Sequence, residues 1–197
     1  MTAERASDLR EDHVSWLVPA AVALALAVWL IATYNRLVGL RNRVREAWSG
    51  IDVQLTRRAE LVPNLVDTVE AYRIHERATL EAVTAARSRI VQAPGPAEAG
   101  RADDALEGAL QRLFAVAEAY PDLKASASFL ALQAELTTLE EDISFARRYY
   151  NAVVKQLNTA VQRIPTVLVA GPLGFAAAEY FKAEADARVA PRTEFGR

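Results

Sequence analysis

An apolar run near the N-terminus limits the fold of this chain more than any other feature. Residues 16–33 carry no charged side chain over 18 positions. As a helix, the run is about 27 Å long, close to the roughly 30 Å hydrocarbon thickness of a bilayer. Trp16, Trp29 and Tyr34 lie toward its ends, where interfacial aromatic side chains are common. The run predicts a transmembrane helix over residues 16–34, after a short tail of residues 1–15.

A cleaved signal peptide is the alternative explanation for the same run. Such a peptide has a positively charged start, a shorter apolar core and a small-residue cleavage site. Here the apolar run passes into Tyr34, Asn35 and Arg36 without a clear cleavage signal. The segment before it carries four acidic residues against two arginines, namely Glu4, Asp8, Glu11, Asp12, Arg5 and Arg10. We therefore expect an uncleaved anchor.

Basic residues after the run predict its orientation. Arg36, Arg41, Arg43 and Arg45 follow it closely, whereas the preceding flank is acidic. Positive charge stays on the cytoplasmic side of a membrane. We therefore expect a single-pass protein with its N-terminus outside and its C-terminal domain in the cytoplasm.

The clearest periodicity in the chain predicts one long helix. Apolar residues alternate at spacings of three and four over five heptads, as in a coiled coil or a long bundle helix. Charged residues flank this seam, and no Gly or Pro interrupts it before Pro165. The seam consists of Phe129, Leu132, Leu136, Leu139, Ile143, Ala146, Tyr150, Val153, Leu157, Ala160 and Ile164.

Shorter periodic segments predict the remaining helices. The first continues from the anchor over residues 37–55. Pro63 cannot donate an intrahelical N–H bond, so we expect the chain to kink or turn there and a second helix to follow. A break at residues 93–96 and a polar loop as far as Gly100 then precede a shorter helix over residues 106–120.

Together these segments predict an all-α fold. Each helix has one apolar stripe, which it must bury against the others. We expect an antiparallel helical bundle of three to four long helices over residues 35–165, tethered by one N-terminal transmembrane helix. A short, broken apolar stretch begins the remaining residues 166–197. It either caps the bundle or touches the membrane, and a flexible tail follows from about Arg188.

Composition and motifs give no indication of an enzyme. The absence of cysteine excludes disulfides, thiol catalysis and cysteine-ligated metals. The net charge of −2, without a clustered basic surface, argues against nucleic-acid binding. His75 and Glu76 are adjacent, so they point in different directions on a helix, and catalytic zinc needs three protein ligands. We predict no catalytic residue, metal or cofactor, and we expect Glu76, which falls on a seam, to pair with an arginine across the bundle.

Four blocks of residues occur in a fixed order along the chain. They include residues 47–55 and 61–65, then Tyr72, His75, Glu76 and residues 83–87, then residues 120–124, Phe129, Leu132, Gln133 and Leu136, and then Ala146, Arg147, residues 149–151, Asn158, Pro165, Gly174 and Phe175. From Tyr34 to about Lys182, these blocks make the chain resemble the LemA family. The resemblance implies a bacterial cytoplasmic (inner) membrane protein with one N-terminal span, an outside N-terminus and a cytoplasmic helical bundle. It supplies no reaction and no catalytic residue. Some members are linked to membrane biogenesis in magnetosome-forming bacteria, and others are encoded near membrane peptidases.

Two groups of side chains are candidate contact sites. Arg36 and Arg41 lie nearest the predicted membrane surface, where each arginine contributes about 1 kcal/mol toward anionic headgroups. Candidate contacts with a partner protein lie near the expected turn or just off the helical seams. For the charged members the alternative is salt bridging within the bundle, and for the aromatic members it is core packing. These candidate partner contacts are Trp48, Asp52, Arg57, Arg58 and Tyr149.

These features predict a membrane-anchored scaffold or adaptor that binds partner proteins on the cytoplasmic face, without catalysis. The long heptad helix and the lack of an active-site pattern motivate this hypothesis. One alternative is a membrane-shaping or membrane-biogenesis protein that self-assembles on anionic lipid. Another, an accessory factor of a membrane peptidase or envelope-stress system, rests on the resemblance alone. The expected partners are the lipid bilayer, an unidentified membrane or cytoplasmic protein and, as a further option, a second copy of the chain, but not nucleic acid.

Overall fold

The computed structural model describes residues 16–72 and 76–181, and every regular element within them is a helix. Six helices are present in these ranges, and no strand. The all-α class expected from the sequence is confirmed. The helices are α1 (Leu17–Ala71), α2 (Arg77–Val91), α3 (Pro96–Ala117), α4 (Pro121–Lys124), α5 (Ala127–Gln162) and α6 (Val167–Ala170).

Helix α1 begins in the apolar run and continues far beyond it. It contains 55 residues, which corresponds to a length of about 80 Å. Its most apolar window of 18 residues has a mean hydropathy of 2.1, and none of that window is buried. Among the described helices, α1 is the one long and apolar enough to cross a membrane. Its length and composition therefore agree with the transmembrane helix expected from the sequence.

Beyond the apolar run, α1 buries one stripe of side chains. The buried positions recur every three or four residues from Leu37 to Val69, which confirms the rhythm of the sequence. The stripe on α5 extends from Phe129 to Ala160, and α1 and α5 share the most extensive helix contact of the fold. Ile164, assigned to the same seam, instead lies beyond the end of α5 and is 79 % exposed. It leaves the helix because a residue before proline disfavours the helical conformation.

Contacts between α1 and α5 establish their relative direction. The rings of Trp48 on α1 and Tyr150 on α5 have centroids 5.9 Å apart. Arg57 lies further along α1, and it donates to Glu135, which lies nearer the start of α5, at 2.9 Å. Residue numbers therefore rise along α1 as they fall along α5, and the two helices run antiparallel.

Pro63 does not end α1, although the sequence predicted a kink or turn there. A proline has no N–H to donate to the carbonyl four residues earlier, which here belongs to Ala59. The Nε of Arg87 on α2 donates to the Ala59 oxygen at 2.8 Å and replaces the missing bond. Helix α1 therefore continues to Ala71, and the prediction of a second helix from Pro63 was wrong. The local sequence could not reveal the replacement donor, because Arg87 lies in a later helix.

Helix α1 instead ends at Ala71, and α2 begins at Arg77. Residues 73–75, and with them His75, lie outside the described part of the chain. Glu76 is exposed and precedes the first residue of α2, where its carbonyl accepts the N–H groups of Thr79 and Leu80. Glu76 forms no ion pair with an arginine in residues 16–72 or 76–181, so the expected pairing across the bundle is not found there. The helix is interrupted here, so the seam does not continue through this residue.

The connection between α2 and α3 is shorter than expected. A polar loop was predicted as far as Gly100, but α3 begins at Pro96. Pro96 lies in the first turn, where its missing N–H has no helical partner to lose. Ala99, Gly100 and Ala102 are buried, so these small residues form part of the packed face of α3. The loop is therefore limited to residues 92–95. The polar sequence up to Gly100 suggested a longer loop because it does not show that these small residues are packed.

After α6 the chain returns along α5 without regular secondary structure, held by two asparagine side chains. Asn158 Nδ2 donates to the Ala178 oxygen at 2.9 Å, and Asn158 Oδ1 accepts the Ala178 N–H at 2.8 Å. Asn151 makes the same two bonds with Phe181, at 3.1 and 3.0 Å. The returning segment is therefore fixed on α5, and the ring of Phe181 is buried. The flexible tail expected from Arg188 lies outside the described residues.

The bond between Arg87 and the Ala59 carbonyl predicts a coupling between Arg87 and Pro63. Arg87→Met leaves that carbonyl without a donor, and we expect it to lower the free energy of unfolding by about 1–2 kcal/mol. In a Pro63→Ala background the restored main-chain N–H satisfies the carbonyl, so Arg87→Met should cost less. Chemical denaturation of the four full-length proteins in detergent measures the difference. Equal costs in both backgrounds would contradict this role of Arg87.

Candidate functional site

The segment after α6 packs against α1 where the apolar run ends. The rings of Phe175 and Tyr34 meet edge to face, with centroids 5.7 Å apart. The guanidinium of Arg41 stands 4.8 Å from the centre of the Phe175 ring, a cation–π contact. We call Tyr34, Arg36, Arg41 and residues 163–175 together the membrane-proximal end. Because Phe175 is buried there, the C-terminal segment is joined to α1 at this end.

A groove with three basic side chains lies between α1 and the second half of α5. It has a volume of about 580 Å³, and Arg36 lines it from α1, Lys155 from α5 and Arg163 from the position directly after α5. Of the two arginines expected at the membrane surface, Arg36 therefore lies in this groove, whereas Arg41 stacks on Phe175. We call it the basic groove, and its other lining residues are Leu40, Ala152, Gln156, Thr159 and Ala160.

Apolar side chains are exposed directly after the basic groove. Ile164 and Leu168 are 79 % and 72 % exposed, and Val167 and Leu173 are also exposed. Ala170, in the same turn, is buried. One side of this segment therefore caps the helices, while its other side presents an apolar surface, which we call the apolar turn.

Arg58 lies in the interior, in a cluster of three ionisable side chains. Its Nη1 is 2.8 Å from Oδ1 of Asp103 on α3 and 2.7 Å from Oε2 of Glu140 on α5. The Arg58 and Asp103 side chains are almost fully buried, and Glu140 is about one-third exposed. Because Arg58 is buried, it is not available at the surface to a partner protein. Its contacts are salt bridges within the protein, the alternative that the sequence left open for it. Arg58 joins three helices, because it is itself part of α1.

The ion cluster has one cation for two carboxyl groups, and this imbalance affects Asp103. Burial raises the pKa of Asp103 from 3.8 to about 6, and the nearby carboxylate of Glu140 also raises it, while Arg58 lowers it. Removing a charge from water is costly, so the neutral acid is favoured wherever the attraction of Arg58 does not fully compensate. Burial therefore moves the pKa of Asp103 from its ordinary acidic range toward neutrality.

Trp48 and Asp52 lie together at a second cavity, between α1, α2 and the start of α3. The cavity has a volume of 420 Å³, and Glu60 and Arg87 also line it. The Trp48 ring additionally contacts Tyr150 and Phe181, so Trp48 is half-buried rather than free. Asp52 is exposed. The structure thus brings two of the predicted partner contacts to one place, but Trp48 also serves the core.

The other two predicted partner contacts lie elsewhere. Arg57 forms an exposed ion pair with Glu135 at 2.9 Å, an interaction that contributes little in water. Tyr149 is 51 % exposed, and Phe145, one turn earlier on the same helix, is 68 % exposed. We call Phe145 and Tyr149 the aromatic pair, since residues four apart share a helix face.

Sequence reasoning missed Phe145, Lys155 and Arg163. Each lies outside the apolar seam of α5, so seam periodicity alone treated it as ordinary solvated surface. The available signal was a second spacing of four, from Phe145 to Tyr149 and from Lys155 through Thr159 to Arg163. Only the antiparallel packing of α1 on α5 brings the latter set opposite Arg36.

The described residues define a class of protein, although not a reaction. They form a helical domain that continues from one helix long and apolar enough to cross a membrane. Within these residues, no group of three or more His, Cys, Asp or Glu is placed to hold a metal ion. This is a helical protein with a candidate transmembrane anchor. The chain belongs to the LemA family, whose model matches residues 47–195.

Individual relatives agree with this membership. The chain is 30 % identical to Protein LemA of Metamycoplasma hominis over 159 residues, which cover 79 % of this chain and 71 % of that protein. It is 24 % identical to Magnetosome protein MamQ 2 of Paramagnetospirillum magneticum, over 86 % of this chain and 72 % of the relative. It is also 24 % identical to Magnetosome protein MamQ of Magnetospirillum gryphiswaldense, over 80 % and 68 % respectively. None of these names describes an enzyme.

The pKa of Asp103, raised to about 6, predicts how stability changes with pH. Between about pH 4 and pH 6 the folded protein keeps a proton that the unfolded chain has lost. The contribution of Asp103 to the free energy of unfolding is therefore full below pH 4 and is lost as the pH rises through 6. We expect the difference between wild type and Asp103→Asn to change by an amount on the order of 2 kcal/mol across this window. Denaturation at several pH values measures it.

Glu140→Gln provides the control for this titration. It removes one of the like charges that raise the pKa of Asp103, so the window should move to lower pH. A difference between wild type and Asp103→Asn that stayed constant from pH 4 to pH 7 would contradict the assignment.

Proposed function

We propose that this chain is a membrane-anchored scaffold of the bacterial cytoplasmic membrane, which holds an antiparallel helical bundle over the cytoplasmic face and docks a partner protein there without catalysis. The observation that carries the proposal is an exposed aromatic pair on a domain that α1 joins to the anchor without a break. The arginines that follow the apolar run support the cytoplasmic placement through the charge bias of membrane flanks.

Continuity of α1 is what makes a scaffold of this kind mechanically effective. About 55 Å of α1 extends beyond Tyr34, and α5 packs along it. A flexible linker would let the domain take many orientations, whereas a packed helix restricts it to few. Any protein docked on α5 would therefore be held at a defined distance from the bilayer.

The distance of the aromatic pair from the expected membrane surface favours a protein rather than lipid as its partner. Tyr150, next to Tyr149, contacts Trp48, which lies about 21 Å along α1 beyond Tyr34. The headgroup layer extends only roughly 5–8 Å beyond the hydrocarbon, so lipid does not reach Tyr149 when α1 stands upright. Large exposed aromatic side chains are typical of the central residues of protein interfaces.

Photo-crosslinking in cells tests the scaffold. A photo-reactive residue at Phe145 or Tyr149 should give a recurring crosslink to one other protein. Val91 and Leu130 are matched controls, since they are 66 % and 49 % exposed, and should not give it. Phe145→Glu should abolish the crosslink from Tyr149, because a buried charge is costly.

Two results would overturn the proposal. Crosslinks from the aromatic pair only to lipid, or to no molecule, would remove the docking surface. Crosslinks only to a second copy of the chain would replace protein docking by self-assembly.

Membrane shaping by self-assembly on anionic lipid is the second candidate function. The exposed apolar turn at the membrane-proximal end favours it. Two of the relatives carry the name magnetosome protein, in keeping with the membrane-biogenesis role that the family resemblance implies.

Vesicles that contain the full-length chain test membrane shaping. In vesicles of phosphatidylcholine and phosphatidylglycerol, wild type should produce tubes or small vesicles visible by electron cryomicroscopy. Ile164→Glu with Leu168→Glu should abolish this effect, because the charges oppose insertion of the apolar turn. Val53→Glu with Val91→Glu, at positions 59 % and 66 % exposed, is the control and should leave the effect intact. Unchanged vesicles with wild type would rule out this candidate.

A further inference from the structure

The basic groove has the composition of an anion site built from two helices. Lys155 and Thr159 are four residues apart on α5, so they share one face of that helix. Arg163 follows at the same spacing, directly after α5 ends. Arg36 lies across from them on α1. Two guanidinium groups, one ammonium group and one hydroxyl therefore border a cavity of about 580 Å³, and none of the described residues that line it is acidic.

The positive charges of the groove are uncompensated within the described protein. The side chains of Arg36, Lys155 and Arg163 form no ion pair or hydrogen bond with another described residue. Elsewhere in the same ranges, Arg57 and Arg58 are paired with carboxylates, whereas Arg45, Arg89 and Arg112 form no ion pair with a described residue. The groove differs from these single positions because it brings three such charges to one cavity. The dipole of α5 favours a cation at Arg163, which follows the last helical residue, but it does not reach Arg36 on another helix.

The height of the groove matches the headgroup layer of a membrane. Arg36 and Leu40 lie about 4.5 and 10 Å along α1 beyond Thr33, where the apolar run ends. The headgroup layer occupies roughly the first 5–8 Å beyond the hydrocarbon. A lipid phosphate in this layer is therefore level with the opening of the groove.

The apolar turn supplies the second half of a lipid site. Arg163 lines the groove, and Ile164, the next residue, is exposed together with Val167 and Leu168. A soluble phosphate has nothing to place against these side chains, whereas the acyl chains of a lipid do. Charge and apolar surface are thus arranged in the same order, headgroup then chain, as in a phospholipid.

We propose that the basic groove binds the phosphate headgroup of an anionic membrane lipid, with the apolar turn against its acyl chains. Arginine guanidinium groups pair with phosphate oxygens in a bidentate manner, and Lys155 adds a point charge. The site goes beyond the proposed scaffold, since it is separate from the aromatic pair. It fastens the C-terminal end of α5 to the same membrane that holds α1.

Native mass spectrometry of the detergent-solubilised full-length chain tests this site. Wild type should bind added phosphatidylglycerol about tenfold more tightly than phosphatidylcholine, which is equivalent to about 1.4 kcal/mol. The triple variant Arg36→Gln, Lys155→Gln, Arg163→Gln should lose this preference. A second triple variant, Arg45→Gln, Arg89→Gln, Arg112→Gln, removes the same charge from exposed positions outside the groove, and it should keep the preference.

Two further measurements distinguish a lipid from free phosphate as the ligand and control for unfolding of the variant. Inorganic phosphate at millimolar concentration should not displace phosphatidylglycerol, and displacement would identify a free-phosphate site instead. Arg36→Lys with Arg163→Lys keeps the charge and should keep at least part of the preference, even if the neutral triple variant unfolds. Equal binding of both lipids by wild type, or equal loss in both triple variants, would overturn the proposal. Crosslinking from the aromatic pair is unaffected by either result.

Discussion

The rest of the structure depends on α1, which joins a run compatible with lipid to an amphipathic helix without a break. Its first part is apolar on all sides, as lipid requires, and its second part is apolar along a single stripe, as a water-facing domain requires. A main chain in lipid must bond to itself, so continuity of the helix across the boundary leaves no orphaned main-chain group there. The domain is built by covering the stripe with α5.

Continuity through Pro63 depends on a residue from another helix. Without the Arg87 donor, the Ala59 carbonyl would be left unsatisfied in a part-buried place, which costs about 1–3 kcal/mol. Arg87 thus links the integrity of α1 to the docking of α2. In the same way Arg58 links α1 to α3 and α5 through the buried ion cluster. The net contribution of the buried ion cluster to stability is small, because the cost of removing charges from water offsets their attraction.

The sequence predicted the parts of the fold that arise from local pattern. The apolar run, the stripe from Leu37 and the seam of α5 follow from hydrophobicity at fixed spacing, and all three are found in the structure. The path of the chain at Pro63 and Gly100 was not predicted. It is decided by a donor on α2 and by close packing of α3, and neither is a property of the local sequence.

The candidate sites were predictable to a smaller extent. Arg36 was identified because it follows the apolar run, but the residues opposite it are more than 100 positions away and meet it only in three dimensions. Arg58 was identified by charge alone, which does not distinguish a surface arginine from one neutralised inside. Asn151 and Asn158 were noted as part of a family resemblance, and their pairing with the returning main chain has no signature in helical periodicity.

The unbroken α1 also fixes the domain in rotation. Each residue of an α-helix turns the chain by about 100°, so the azimuth of the span about the membrane normal determines which way every face of the domain points. One residue added or removed between the span and Leu37 would swing the aromatic pair by more than a quarter turn while changing its height by only about 1.5 Å. The length of this junction therefore sets the angle between the faces of the span and the aromatic pair, in addition to the distance between them.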